Sequence, residues 1–283
     1  MRFGFLLKRG KPEAREIAAE LGGVLANRGC GLVTLAEDGV VLEGARVVSR
    51  EELGRSIDAL VVLGGDGTFL LGASLVADDG VPLFGVNLGS LGFITHYARA
   101  EAAVALGEAA EGRLAIEDRM RLQVTIGTPN GPGESRAAVN DAVLTQRALA
   151  RLLDLEARLD GAEIATYKAD GLIVSTPTGS TAYTLAAGGP VLTPDLRAIA
   201  LTPICPHTLT HRPLVVRPDA RLRIKNVSGG AATLTIDGQW GHDLQVGDWI
   251  DVQEARKPLR VFRSPTSFFG ILRQKLSWGE RQG

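Results

Sequence analysis

Residues 57–77 read IDALVVLGGDGTFLLGASLVA, and this stretch joins two apolar segments through three closely spaced glycines. The run 57–63 has the length and apolar character of a buried strand, and it stops at Gly64 and Gly65. The following range 68–77 is rich in helix-forming residues. We therefore predict a strand, a glycine turn and a helix, the repeating unit of α/β folds.

The segments around this unit continue the alternation of strand and helix. Residues 2–7 and 81–86 have the pattern of buried strands, whereas 12–27 and 100–111 have helical spacing or an alanine-rich helical composition. This alternation predicts an N-terminal α/β domain over residues 1–118, with a mostly parallel sheet and flanking helices.

From residue 119 the pattern changes to short strands separated by Gly, Pro and Asp turns, which predicts an all-β, sandwich-like domain over 119–262. The predicted strands are 122–126, 137–144, 152–159, 172–175, 214–217, 221–227, 233–237 and 249–253. In the tail 263–283, Phe268, Leu272 and Leu276 have helical spacing, and we expect this C-terminal helix to pack back on the N-terminal domain.

Composition limits the classes of partner. Among 283 residues, 31 are basic and 32 acidic, so the net charge of −1 gives no overall attraction to nucleic acid or to an anionic bilayer. Cys30 and Cys205 form no CxxC pattern, which argues against a zinc or disulfide framework. No apolar stretch approaches the roughly 20 residues of a membrane helix. We expect a cytoplasmic protein without nucleic-acid or membrane partners.

The GGDGTFL segment at 64–70 has the features of a phosphate-binding turn. Glycines let backbone N–H groups approach anionic oxygens, and the N-terminus of the following helix adds partial positive charge. A carboxylate in such a place is useful as a base for an acceptor hydroxyl or as a ligand of a divalent cation, so Asp66 is our catalytic candidate. An ordinary helix-start turn remains the alternative. No GxxxxGK[ST] and no GxGxxG pattern occurs in the chain.

A second polar cluster, KADGLIVSTPTGSTAY, spans 168–183, where an apolar strand runs into a turn rich in hydroxyl groups. Such a turn offers many hydrogen-bond donors to a polyphosphate or an adenosine, although a capped structural turn is the alternative. Asn140 and Asp141 stand inside a strand pattern, where polar side chains are costly unless they are hydrogen-bonded. These two residues therefore also indicate a binding site. The alternative is that they form a turn at the end of a strand.

In their order and spacing these segments resemble the motifs of the NAD kinase family, and the resemblance covers most of the chain. The matching motifs are GGDGTFL at 64–70, VNLGSLGF at 86–93, VND at 139–141, DGLIVSTPTGSTAY at 170–183, LTPICPHTLTHRPLVV at 201–216 and IDGQ at 236–239.

The resemblance implies transfer of a phosphoryl group from ATP, another triphosphate or polyphosphate to the adenosine ribose 2′-hydroxyl of NAD, with Asp66 as proton acceptor. It implies phosphate contacts by Gly64, Gly65, Gly67, Thr68, Gly179 and Ser180. It implies NAD contacts by Asp66, Gly67, Asn140, Asp141, Arg151, Lys168, Asp170, Thr178, Thr181, Ala182, Tyr183, Thr184, Leu185, Ala186 and Gln239.

The resemblance also implies a divalent cation, Mg²⁺, carried with the donor rather than in a protein metal site. It implies a homodimer or homotetramer with the NAD site near the subunit interface. The chain departs from the family pattern at two positions: many members have Glu in place of Asp141, and a basic residue or histidine in place of Ser74. These departures bear on the affinity for substrates or on the choice of donor.

Two other readings share part of this pattern. Lipid kinases also have a GGDGT loop, but the later motifs and the absence of a basic amphipathic helix disfavour them. A non-catalytic module that senses dinucleotides would keep the binding motifs, but the intact Asp66 argues against lost turnover.

Overall fold

The protein is described by a computed structural model. It covers residues 1–39, 42–89, 91–146, 152–208 and 210–278. The chain divides into two compact units, of which the first comprises Met1–Asp118 and the segment from Lys257 onward, and the second comprises Arg119–Arg256.

The first unit is an α/β unit. Its helices are α1 (Pro12–Ala26), α2 (Arg50–Ser56), α3 (Asp66–Val76), α4 (Arg99–Ala110) and, close to the end of the chain, α6 (Phe268–Leu276). Its strands are β1 (Arg2–Leu7), β2 (Gly31–Leu35), β3 (Arg46–Val48), β4 (Ala59–Gly64), β5 (Leu83–Asn87), β6 (Ile116–Arg119) and the last strand of the chain, β19 (Leu259–Phe262). They form one seven-stranded sheet in the order β3-β2-β1-β4-β5-β19-β6. The pairs from β3 through β19 are parallel, which confirms the predicted fold class.

The centre of this sheet is buried on both faces. All six residues of β4 are buried, which explains why its sequence is a continuous apolar run rather than an alternating one. Helix α1 covers one face with Ile17, Leu21 and Leu25, the stripe that its helical spacing predicts. The ring of Tyr97 stacks on Phe84 of β5 within the same core.

Two features of this unit differ from the sequence-based expectation. The segment between α1 and β4 was not predicted; it contains β2, β3 and α2, short elements whose local patterns are weak. Strand β19 was placed in the β-rich domain, but Val261 pairs with Leu83 of β5 in the parallel sheet. The apolar residues of β19 are buried there, so tertiary packing decides its sheet. None of the helices in the described ranges is long and apolar enough to cross a membrane.

The second unit consists of two antiparallel sheets. Its strands are β7 (Leu122–Thr128), β8 (Gly131–Ala138), β9 (Asp141–Gln146), β10 (Leu153–Leu159), β11 (Ala162–Ala169), β12 (Gly171–Ser175), β13 (Ile199–Ile204), β14 (Leu214–Val216), β15 (Leu222–Asn226), β16 (Ala232–Ile236), β17 (Trp240–Leu244) and β18 (Trp249–Glu254). The orders are β11-β10-β15-β18-β7-β8 and β14-β13-β12-β9-β16-β17. A four-residue helix, α5 (Tyr183–Ala186), follows β12.

One hydrophobic core joins the inner faces of the two sheets. Leu153, Leu155 and Ala157 point into it from β10, while the residues between them are less buried, the alternation of a strand with one core-facing side. Leu172 and Val174 enter the same core from the other sheet. This arrangement confirms the expected sandwich.

Replacing Leu155 with alanine tests this core. Leu155 is completely buried, so Leu155→Ala should lower the free energy of unfolding of the β-rich unit by about 2–5 kcal/mol. Urea titration followed by the fluorescence of Trp240 and Trp249 would measure the loss. The matched control is Leu196→Ala, at a side chain that is 43% exposed, which should cost less than about 1 kcal/mol. Equal losses in the two variants would contradict this description of the core.

Candidate active site

The turn between β4 and α3 presents backbone at the start of a helix. Gly65 is the N-cap residue of α3 in extended conformation, and Asp66 is the first helical residue. A Cβ at position 64 would clash with the side chain of Thr68, so glycine is needed there for packing. A Cβ on Gly65 or Gly67 would meet no atom within 4 Å, so both glycines border open space. This arrangement suits an anionic ligand at a helix N-terminus.

The carboxylate of Asp66 is held by the loop that follows β5. Its Oδ2 accepts the backbone N–H of Phe93 at 2.9 Å, and its Oδ1 accepts those of Ile94 and Thr95 at 3.2 and 3.1 Å. The hydroxyl of Thr95 donates to the same Oδ1 at 3.0 Å. Four donors therefore fix the charged group in one orientation, while Oδ2, with one of these bonds, can still accept a proton.

The VNLGSLGF motif builds this loop. Asn87 donates from Nδ2 to the Thr95 hydroxyl at 3.0 Å and accepts the Gly89 N–H at 2.7 Å, so it fixes the loop at both ends. A Cβ on Gly92 would clash with the carboxylate of Asp66 and the hydroxyl of Thr95. The two motifs are thus parts of one structure.

A second carboxylate organises the β-rich unit. Asp237, in the IDGQ motif, accepts the backbone N–H of Val139 at 2.8 Å, of Asn140 at 2.7 Å and of Asp141 at 3.0 Å. Burial raises the pKa of Asp237, although the three amide donors and Arg121 oppose the rise. The contacts fix the backbone from which the side chains of Asn140 and Asp141 project.

The turn after β12 is packed against the same segment. The Thr176 hydroxyl donates to the carbonyl of Val139 at 2.6 Å, and the Gly179 N–H donates to that hydroxyl at 3.0 Å. A Cβ on Gly179 would clash with the backbone of Asn140. The Oδ1 atom of Asn140 is buried and has no hydrogen-bond partner within the described part of the chain. A ligand hydroxyl would satisfy it.

Asp141 lies on the face of the second sheet that is turned away from the sandwich core. The side chain is 6% exposed, and it stands directly opposite Ser175 in the pairing of β9 with β12. Burial raises the pKa of Asp141 to about 7, with a further contribution from the charge of Asp237. The hydroxyls of Ser175, Thr184 and Thr202 are buried without a hydrogen-bond partner among the described residues. They can therefore take part in hydrogen bonds with a ligand.

The other predicted site residues of this unit fall into two groups. Ser180 is completely buried, and its hydroxyl bonds to the Pro177 carbonyl and the Leu192 N–H, so it holds the turn together rather than facing outward. The Thr181 hydroxyl likewise bonds to the Thr178 carbonyl. More accessible are Lys168, Asp170, Ala182, Tyr183, Leu185, Ala186 and Gln239. Arg151 lies outside the described residues.

Sequence reasoning assigned no individual role to Gly92 or Asp237, although their motifs were recognised, and none to Thr95, which lies two residues beyond the VNLGSLGF motif. Each of them acts on a candidate residue far away in the chain, and a sequence pattern gives only the local signal of a turn. The DG pair at 237–238 was such a signal. The described residues contain no cluster of three or more His, Cys, Asp or Glu that could hold a metal ion.

Two family models match the chain. The ATP-NAD kinase N-terminal domain matches residues 3–114, and the ATP-NAD kinase C-terminal domain matches residues 139–264. The chain belongs to the NAD kinase family. All six motifs quoted for the resemblance lie within these two ranges, so the NAD kinase matches include Asp66, Asn140, Asp141 and Asp237.

Individual NAD kinases are similar to this chain over nearly its full length. The NAD kinase of Geotalea daltonii is 43% identical over 272 residues, covering 95% of this chain and 96% of the relative. The NAD kinase of Syntrophotalea carbinolica is 39% identical over 285 residues, covering 99% of each.

Two solved structures have the same fold. The crystal structure of yeast NADH kinase complexed with NADH superposes with a TM-score of 0.90 and 28% identity, covering 99% of this chain and 89% of that one. An NAD kinase from Archaeoglobus fulgidus in complex with ATP superposes with a TM-score of 0.77 and 26% identity, covering 99% of this chain and all of the other.

The raised pKa of Asp141 predicts a pH-dependent stability. An aspartic acid whose pKa rises on folding favours the folded state at low pH, and this contribution is lost as the pH rises through about 7. Asp141→Asn removes that loss, so the stability of the variant relative to wild type should increase by about 2–3 kcal/mol between pH 5 and pH 8. Urea denaturation at both pH values measures it. For the exposed control Asp195→Asn, the difference in stability between variant and wild type should be the same at pH 5 and pH 8. The same result for Asp141→Asn would refute the prediction.

Gly92→Ala should damage catalysis without unfolding the protein. The added Cβ competes with the carboxylate of Asp66 for space, so the carboxylate must turn away from the loop. Because we propose Asp66 as the catalytic base, we expect the turnover number for NADP formation to fall by about tenfold or more when its carboxylate is displaced. The control Gly23→Ala adds a methyl group where no atom lies within 4 Å, and its turnover should be that of wild type. Unchanged turnover in Gly92→Ala would show that this packing is not needed.

Proposed function

We propose that the protein transfers the terminal phosphoryl group of ATP to the 2′-hydroxyl of the adenosine ribose of NAD, giving NADP and setting the NAD to NADP ratio. The observation that carries the proposal is the carboxylate of Asp66, fixed by four donors at the start of α3 beside an open glycine turn. The family membership of both units supports the same conclusion.

In the proposed reaction Asp66 acts as the base. The ribose hydroxyl loses its proton to the carboxylate as its oxygen forms the new bond to the terminal phosphorus. The bond between that phosphorus and the bridging oxygen breaks, and ADP leaves with the electron pair. The N-terminus of α3 offsets the charge on the transferred group, so positioning and electrostatics supply most of the rate enhancement.

A divalent cation fits these residues only as part of the donor complex. Mg²⁺ is usually held by one or two carboxylates, several waters and the phosphates of the substrate rather than by a protein cage. The described residues contain no cluster of carboxylates or imidazoles that could form such a cage, whereas Asp66 stands at the open turn. We propose that Mg²⁺ arrives with ATP and neutralises phosphate charge.

For the acceptor, Asn140 and Asp141 are proposed to bind the hydroxyls of the adenosine ribose. The unpartnered Oδ1 of Asn140 supports this role, because a buried acceptor needs a donor and a ribose hydroxyl supplies one. The remaining contacts to NAD are assigned to the turn and α5 and to polar residues near them: Arg151, Lys168, Asp170, Thr178, Thr181, Ala182, Tyr183, Thr184, Leu185, Ala186 and Gln239.

We propose that the enzyme works in the cytoplasm as a homodimer or homotetramer. The free thiols of Cys30 and Cys205 agree with a reducing compartment. Tyr183 is 45% exposed although it belongs to the proposed NAD site, and Val215 on the edge strand β14 is 44% exposed. A second subunit that covers such apolar surface would stabilise the site. Light scattering of the purified protein determines the subunit number.

The direct assay is NADP formation from NAD, ATP and Mg²⁺, measured through an NADP-specific dehydrogenase. Asp66→Asn should lower the turnover number by about 10²–10⁴, the usual contribution of a general base. Thr95→Val removes one of the four donors to the carboxylate and keeps the base, so its turnover should lie between those of wild type and Asp66→Asn.

Binding and stability measurements separate loss of the base from loss of the fold. Asp66 accepts three backbone N–H groups, so its replacement can also change stability. For both variants the melting temperature and the calorimetric affinity for NAD are therefore measured together with the turnover number. Near-normal turnover in Asp66→Asn would refute the assignment of Asp66 as the base. If wild type binds NAD but forms no NADP with ATP or polyphosphate, the protein is a sensing module.

A further inference from the structure

The last helix of the chain reaches the loop that holds Asp66. Helix α6 belongs to the same compact unit as the glycine turn, and its Ile271 and Leu272 are almost completely buried. Lys275 follows them by four and three residues, so its side chain leaves α6 on the side that packs against this unit. The helix thereby directs a cation to Leu91, which lies 184 residues earlier in the chain.

Two contacts join Lys275 to this loop. Its Nζ donates to the backbone carbonyl of Leu91 at 2.7 Å, and the same Nζ lies 5.0 Å from the ring centroid of Phe93. The second distance is within the roughly 6 Å over which the face of an aromatic ring attracts a cation. One ammonium group therefore holds the backbone before Gly92 and the side chain after it.

Phe93 is the residue whose backbone N–H reaches Oδ2 of Asp66, at 2.9 Å. The donors from Ile94 and Thr95 all bind Oδ1. Rotation of the peptide before Phe93 would therefore release the carboxylate oxygen that has one of these bonds and leave the other oxygen bound. Lys275 opposes this rotation, because it holds a group on either side of the N–H.

The ends of the loop are held by contacts that do not involve Lys275. The backbone N–H groups of Asn87 and Tyr97 donate to the carbonyls of Tyr97 and Gly85 at 2.9 and 3.1 Å. The Tyr97 hydroxyl also donates to the carbonyl of Arg263. A change at Lys275 should therefore leave the loop attached to the sheet and disturb only its middle part.

We propose that Lys275 is a positioning residue of the reaction: through Leu91 and Phe93 it keeps one N–H directed at Asp66, and so keeps that carboxylate aligned with the acceptor hydroxyl. This inference rests on the proposed function, because it concerns the alignment of the base in that reaction. A hydrogen bond and a cation–π contact at an exposed side chain each contribute modestly, so the expected effect on turnover is about threefold to tenfold. Lys275 acts through the loop and is not itself a catalytic group.

The kinetic test compares Lys275→Met with Arg273→Met, which removes one positive charge from an exposed position in the same last turn of α6. In Lys275→Met the turnover number for NADP formation should fall about threefold to tenfold. The calorimetric affinity for NAD and the melting temperature should stay close to those of Arg273→Met, whose turnover should be that of wild type. Lys275→Arg keeps a cation that can donate to the carbonyl, so it should retain most of the turnover.

A second pair of variants distinguishes positioning from a general structural effect. If Lys275 acts through the carboxylate, adding Lys275→Met to Asp66→Asn should lower the remaining turnover less than about twofold, because the aligned base is already absent. An equal fall in the wild-type and Asp66→Asn backgrounds would overturn the inference and leave the kinase in place. Unchanged turnover in Lys275→Met, or an equal fall in Arg273→Met, would do the same.

Hydrogen exchange separates failure of this inference from failure of the proposed function, because it needs no turnover. In Lys275→Met the amides of residues 92–95 should exchange about threefold faster or more than in wild type, whereas in Arg273→Met they should exchange at the wild-type rate. Equal exchange in the two variants would overturn the inference whether or not the protein forms NADP. Absence of NADP from wild type, with faster exchange in Lys275→Met, would refute the proposed function and keep the contact between α6 and the loop.

Discussion

The carboxylate of Asp66, the proposed catalytic base, is the group on which the proposed catalytic arrangement depends. Its four hydrogen-bond donors lie in Phe93–Thr95, and three of them are backbone N–H groups. A side chain held by backbone donors cannot change rotamer without breaking several bonds, so the protein itself holds the proposed base in one orientation. The same contacts require glycine at 92, since any Cβ there would clash with the carboxylate. One interaction thus explains two separate motifs.

In the β-rich unit, too, a carboxylate accepts several backbone N–H groups, but there it orients a backbone segment. Asp237 holds three consecutive backbone N–H groups and thereby directs Asn140 and Asp141, while the turn after β12 presses on the same segment. Near this segment Asn140 Oδ1 and the hydroxyl of Ser175 are buried without hydrogen-bond partners in the described part of the chain. In general a buried polar atom without any partner costs about 1–3 kcal/mol, and a ligand hydroxyl can supply the missing partner. Binding of a ribose would therefore return free energy that folding has lost.

The parallel sheet brings the cationic segment after β1 beside the glycine turn that carries Asp66. Because β1 and β4 are neighbours, the cationic segment after β1 and the glycine turn after β4 open at the same edge of the sheet. The sequence separates these segments by more than fifty residues, with Lys8 in one and Gly64 in the other. Strand β4 lies between these segments in the centre of the sheet, and all six of its residues are buried.

The sequence by itself determined the elements whose signals are local. The apolar run before Gly64, the helical stripe of α1 and the alternating strands of the β-rich unit all follow from side-chain periodicity, and they suffice for the fold class. The candidates also came from local context: Asp66 as a carboxylate in a glycine turn that suits phosphate, and Asn140 and Asp141 as polar side chains inside a strand pattern. What only the tertiary structure decided are the partners of these groups. The donors to Asp66 lie 27 to 29 residues away, and Asp237 lies 96 to 98 residues from the N–H groups it accepts. Strand β19 joins a sheet whose other strands lie more than a hundred residues earlier. Such pairings depend on which surfaces meet when two apolar faces are buried together, and no local pattern of residues records that choice.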